Sequence, residues 1–202
     1  MNLIINKITG YWVTKGIITE EDKDIYVYGL DLVLFSVLNL LIITLTAVIT
    51  GRLFESTLLI AVAVPLQVCG GGYHAKTHLN CFLITYIGWW CAVLLAPNIN
   101  SITAIGLAIF SVIVVFILAP VANENVPISD RQSSKMKILV RIFAIFFAVT
   151  SIILTDIFFN RQIISGLIAV GLAAVAISML ASKLQYHIQK PFTANKTPST
   201  TK

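Results

Sequence analysis

The chain has 202 residues, 57% of them hydrophobic and only 11% charged, with a net charge of +5 at neutral pH. A soluble domain carries about 25% charged residues, so most side chains here must face lipid or one another, and the length suits one compact helical bundle without a separate soluble domain. The positive charge is spread over termini and loops, which excludes the basic stripe of a nucleic-acid binder and points to membrane topology.

Three cysteines, Cys69, Cys81 and Cys91, make an odd count. Cys69 and Cys91 lie within apolar runs, as small packing residues do, and the set is no disulfide framework. The stretch Met1 to Gly29 does not read as a cleavable signal peptide. It lacks a basic region followed directly by an apolar core, and Glu20-Glu21-Asp22 interrupts it.

Within Met1 to Lys15, the residues Leu3, Ile4, Ile8, Tyr11 and Trp12 fall at helical spacing, with Lys7 and Lys15 elsewhere. This predicts an amphipathic helix on the membrane surface with aromatic anchors at headgroup level. Thr19-Glu20-Glu21-Asp22 resembles a capping box and predicts the start of a second helix that runs into the first span. A span needs about 20 apolar residues, fewer where the bilayer thins. Six segments qualify: Leu30–Ile49, Leu53–Cys69, Cys81–Ala96, Ile102–Ala119, Ile138–Phe158 and Ile163–Ala181. Gly106, Ala108, Gly166, Gly171 and Ala174 offer small surfaces for close helix packing, compatible with a homodimer though not requiring one. The predicted fold is all-α: a polytopic membrane helical bundle of six transmembrane helices with an N-terminal amphipathic interfacial helix. Residues 1–189 form the single membrane domain, and the polar, basic tail 190–202 is expected to be disordered.

Lysines and arginines fix the orientation. One side receives Lys7, Lys15, Lys23, Lys76, Arg131, Lys135, Lys137, Arg141, Lys183, Lys190, Lys196 and Lys202; the other receives Arg52 and Arg161. The bias predicts a multi-pass protein of the cell membrane with both termini, and the segment between the second and third spans, in the cytoplasm. A free thiol survives there.

That segment, Gly70-Gly71-Gly72-Tyr73-His74-Ala75-Lys76-Thr77-His78-Leu79-Asn80-Cys81, holds a mixture that no lipid-facing helix needs. A thiolate is a nucleophile, and a neighbouring imidazole can remove its proton. Cys81 falls near a helix start, where the helix dipole favours a thiolate. The amides of that first turn, Asn80 included, lack intrahelical partners and could hold an oxyanion. Gly71 and Gly72 permit unusual dihedrals and close backbone approach, as a re-entrant segment lining a peptide groove requires. Spacing favours His78 as base, since residues three apart share a helix face. His74 lies two turns away, about 10 Å along a continuous helix, and serves only if the chain bends. The residues leave the two histidines nearly even. A zinc site is a rival, because His74 and His78 have metalloprotease spacing and Cys81 could be a third ligand. Ala75 stands where that motif places its glutamate, however, and no second histidine pair or intramembrane carboxylate follows. No metal or other cofactor is expected.

The segment resembles the accessory gene regulator protein B (AgrB) family of membrane peptidases, which process quorum-sensing propeptides. The matching features are Gly71-Gly72-Tyr73-His74-Ala75 with Cys81 seven residues after His74, and Ala119-Pro120-Val121-Ala122-Asn123-Glu124-Asn125-Val126-Pro127 after the fourth span. The resemblance implies a cysteine endopeptidase with Cys81 as nucleophile and His74 as base. It also implies a small amphipathic propeptide with an acidic C-terminal part as substrate and partner, cleaved through an acyl-enzyme thioester and cyclised to a thiolactone or lactone. His78, Gly71, Gly72 and Asn80 would support the site. The loop residues Asn123, Glu124 and Asn125 compete for a third, orienting role. Lys76, Arg131, Lys135 and Lys137, with Arg141, could attract the acidic part of the propeptide, although cytoplasmic topology alone also accounts for them. The competing reading is a peptide transporter with residues 70–81 as a gate. It lacks the buried charged relay that coupled transporters use, since Asp31, Glu55 and Asp156 lie near span ends.

Overall fold

The computed structural model describes residues 2–73, 75, 77–121, 130–157 and 162–193. Lipid offers no partners for backbone N–H and C=O groups, so a spanning chain must satisfy them within helices or a closed barrel. The described residues take the helical solution, with no strand among them. In chain order they form α1 (Asn2–Thr14), α2 (Lys23–Ile49), α3 (Leu53–Gly70), α4 (His78–Leu95), a 3-10 turn (Ala96–Asn98), α5 (Ser101–Leu118), α6 (Asp130–Ile157) and α7 (Gln162–Thr193).

Six of these helices, α2 to α7, are long and apolar enough to cross a membrane. The shortest have 18 residues, about 27 Å at 1.5 Å per residue, close to the thickness of a hydrocarbon core. Their outward faces carry Leu41, Leu45, Ile87, Ile117, Ile142 and Phe146, all exposed. Such apolar surface would be a liability in water and suits lipid. The all-α polytopic bundle expected from the sequence is the one observed.

The chain divides into two compact units. The first contains α1 and α2. Ile5 and Thr9 of α1 are buried, and Trp12 makes a T-shaped contact with Tyr26 of α2, ring centroids 6.2 Å apart. The expected apolar stripe of α1 therefore divides: Ile8 and Trp12 are half-buried, whereas Leu3, Ile4 and Tyr11 are exposed. The capping-box residues do bond. The Thr19 hydroxyl accepts from the Asp22 amide at 3.2 Å and donates to the Asp22 carboxylate at 2.7 Å. They build a turn ahead of α2, which starts at Lys23.

The second unit contains α3 to α7. Its core joins Leu66 of α3, Val115 of α5, Val140 and Ala144 of α6, and Leu172 and Met179 of α7. α7 is the central helix: 61% of its apolar window is buried, against 28% or less for the other five. Small residues make that possible. Gly166 lies against the Ala96 carbonyl and Gly171 against Leu59 and Val62, and Ala108 is fully buried, as the packing pattern predicts. Gly106 and Ala174 instead face outward. Ser151 of α6 donates to the Ser165 carbonyl of α7 at 3.0 Å, a buried polar link of the kind that joins helices in lipid. α7 continues to Thr193, past Gln189; residues 194–202 of the expected tail lie outside the described residues.

Candidate functional site

Residues 71–77 carry the chain from α3 to α4, and three glycines fix how it leaves α3. The Gly71 amide still donates to the Gln67 carbonyl at 2.9 Å, closing the last turn. Gly71 then adopts φ +73°, a left-handed conformation that other residues reach only at a cost. A methyl group there would also fall 2.9 Å from the Val121 carbonyl oxygen. One residue earlier, the Gly70 carbonyl accepts from the Val121 amide at 2.9 Å. A methyl at Gly70 would collide with the Met179 side chain and approach Val140 to 2.9 Å. At Gly72 it would stand 2.7 Å from the Ser178 hydroxyl oxygen. That oxygen accepts from the Tyr73 amide at 2.9 Å. The segment is thus laid flat on α7, on α6, and on the residues just after α5.

The other end is fixed by a helix cap. Thr77 is extended, with φ −126° and ψ 146°. Its hydroxyl accepts from the Asn80 amide at 3.3 Å, and its carbonyl accepts from the Cys81 amide at 3.1 Å. α4 consequently starts at His78, three residues before the expected start at Cys81. Cys81 nevertheless remains in the first turn, at the positive end of the helix dipole, and is half-buried. The expected oxyanion donors are narrowed by this cap. The Asn80 and Cys81 amides are engaged by Thr77, which takes Asn80 out of the expected donor set.

His78 is exposed and shares the first turn of α4 with Cys81, as spacing predicts. His74 and Lys76 lie outside the described residues, as do Asn123, Glu124 and Asn125. Between Gly71 and Thr77 no described residue is helical, so α3 and α4 are not one continuous helix. Lys135 and Lys137 are exposed on α6, and Arg131 lies on α6 with its side chain outside the described set. Arg141 is engaged elsewhere. Its Nη2 donates to the Phe116 carbonyl at 2.9 Å, and its guanidinium covers the Phe116 ring at 4.8 Å. The residue four beyond Phe116 is Pro120, which has no N–H to offer, so Arg141 fills a vacancy that the sequence creates.

Two participants escape a reading of the sequence around Cys81 alone. Thr77 carries a legible signal, a threonine directly before an apolar helix, hidden when the helix is started at Cys81. Ser178 carries none, since it lies 105 residues from Tyr73.

A multi-pass helical protein, holding a thiol in a capped helix turn beside a glycine-anchored segment, is the class this site defines. A family model described as Accessory gene regulator B matches residues 3–179. The chain belongs to that family. An AgrB-like protein of Listeria innocua serovar 6a is 30% identical over 124 residues, covering 58% of this chain and 61% of its own length. An AgrB-like protein of Listeria monocytogenes serovar 1/2a is 28% identical over 121 residues, covering 57% and 59%. The chain thus spans about three-fifths of the length of the curated relatives it matches. No solved structure matches it.

Proposed function

We propose that the protein is a membrane cysteine endopeptidase of the quorum-sensing system to which its family belongs. It cleaves a small amphipathic propeptide at the cytoplasmic face and cyclises the product. The observation that carries this reading is the position of Cys81: half-buried, in the capped first turn of α4, and separated by a non-helical break at Thr77 from the segment that holds His74. Family membership supports the substrate class.

In this mechanism His74 takes the thiol proton and the Cys81 sulfur attacks the scissile carbonyl. The tetrahedral oxyanion is met by amides at the start of α4. Collapse breaks the C–N bond, and the imidazolium gives its proton to the departing amine, releasing the C-terminal part of the propeptide. The N-terminal part remains as a thioester on Cys81. A cysteine or serine of that bound part, deprotonated by His74, attacks the thioester carbonyl; the ring closes and the Cys81 thiolate leaves. A water-poor site favours ring closure over hydrolysis. Lys135 and Lys137, whose exposure on α6 supports this reading, attract the acidic segment of the propeptide.

The test is mass spectrometry of a co-expressed candidate propeptide with the wild type and with Cys81→Ala, His74→Ala and His78→Ala. Loss of fragment release in Cys81→Ala and His74→Ala, with His78→Ala active, is the expected outcome. Cleavage by Cys81→Ala overturns the peptidase reading. Loss in His78→Ala with retention in His74→Ala would move the base to His78.

A further inference from the structure

Among the described residues, Tyr73 is the last with a hydrogen bond to another helix before His74 in the chain. Its amide donates to the Ser178 hydroxyl oxygen of α7 at 2.9 Å. That contact depends on Gly72, because a methyl at residue 72 would stand 2.7 Å from the same oxygen and 3.7 Å from the Ser178 Cβ. Ser178 has Met179 as its neighbour on α7, fully buried in the core and packed against Gly70. The hydroxyl is therefore presented from the most enclosed helix of its unit. At the far end Thr77 holds the first turn of α4 and, within it, Cys81.

We propose that Ser178 is a positioning residue for the catalytic pair: by fixing the Tyr73 amide it sets where the backbone delivers the His74 imidazole, as Thr77 sets where α4 delivers Cys81. The inference rests on the His74–Cys81 reading given above. Its physical content is a constraint on approach. Only the φ and ψ of Tyr73 separate the anchored amide from the next peptide unit, so loss of the anchor lets the histidine wander. Displacements of about 1 Å at a reacting pair cost up to about a hundredfold in rate.

The experiment uses the full chain in liposomes and iodoacetamide as the probe, with alkylation of Cys81 followed at neutral pH by site-resolved mass spectrometry. A thiolate, not a thiol, is alkylated, so the rate reports how well the base serves the sulfur. His74→Ala is the reference for a pair without its base, expected to slow alkylation about tenfold. Ser178→Ala is expected to slow it severalfold, and Ser178→Thr, which keeps the oxygen, to restore most of it. The double variant Gly72→Ala/Ser178→Ala fills the space of the lost hydroxyl with a methyl group. It is expected to remain slow, because packing without the hydrogen bond does not hold the amide. Full recovery in that double variant would reduce Ser178 to a packing residue and overturn the inference. So would a Ser178→Ala rate equal to wild type while His74→Ala is slow. A His74→Ala rate equal to wild type defeats the His74–Cys81 reading itself, and the inference falls with it.

Discussion

At the scale of single residues, the end of α5 shows how one sequence feature dictates another. Pro120 has no N–H, so the Phe116 carbonyl four residues earlier has no helical partner of the ordinary kind. Arg141 reaches across from α6 to supply one, 2.9 Å away, while its planar face lies on the Phe116 ring. Removing it takes that hydrogen bond away at an exposed site, a loss of about 1 kcal/mol. Arg141→Ala should therefore melt at a lower temperature than wild type in detergent, followed by thermal scanning fluorimetry. Arg141→Lys should recover only part of the difference, because an ammonium offers neither the fork nor the flat surface. An unchanged melting temperature in Arg141→Ala would deny the contact any structural weight. The same arrangement separates Arg141 from Lys135 and Lys137, which stay exposed.

At the scale of an element, α4 owes its first turn to Thr77. The threonine satisfies the Asn80 amide with its side chain and the Cys81 amide with its carbonyl, so the helix begins three residues before Cys81. Replacing a capping threonine by alanine costs about 1 kcal/mol. Thr77→Ala should fray residues 78–81, seen as faster hydrogen exchange at the Asn80 amide, whereas Thr77→Ser should protect it as wild type does. Equal exchange in Thr77→Ala and wild type would mean that the turn is held by something other than its cap. Further along α4, the Trp89 indole donates to the Ser56 hydroxyl of α3 at 3.0 Å. The helix is thereby fixed at its middle as well as at its start.

At the scale of the whole molecule, the side of the membrane that the site faces is a matter of topology, and the lysine and arginine bias predicts the cytoplasm. Cysteines introduced at Lys135 and at Asn98, both exposed within the α3–α7 unit, should separate under a membrane-impermeant maleimide. Asn98→Cys should label in intact cells and Lys135→Cys only after lysis; the opposite pattern would invert the protein and put the thiol outside. Much of this architecture is legible in the sequence because the physics is local. Runs of apolar residues end at Thr50-Gly51-Arg52, at the glycines and at Pro97, and six helices of spanning length follow. The resemblance around Cys81 is equally local, a short order of glycine, histidine and cysteine, and the family match agrees with it. What stays hidden is long-range. The union of Gly70 with Val121, the burial of α7, and the bond from Ser178 to Tyr73 join distant segments, and no periodicity or motif encodes them. That last bond has a consequence for the order of events in the cell. Tyr73 and Ser178 are 105 residues apart, and ribosomes add about 5–20 residues per second. Between about 5 and 20 seconds therefore pass after Tyr73 is made before its acceptor exists. A nascent chain with α3 and α4 already inserted carries its thiol but not its anchor. The bond from Tyr73 to Ser178 can form only when synthesis has delivered α7.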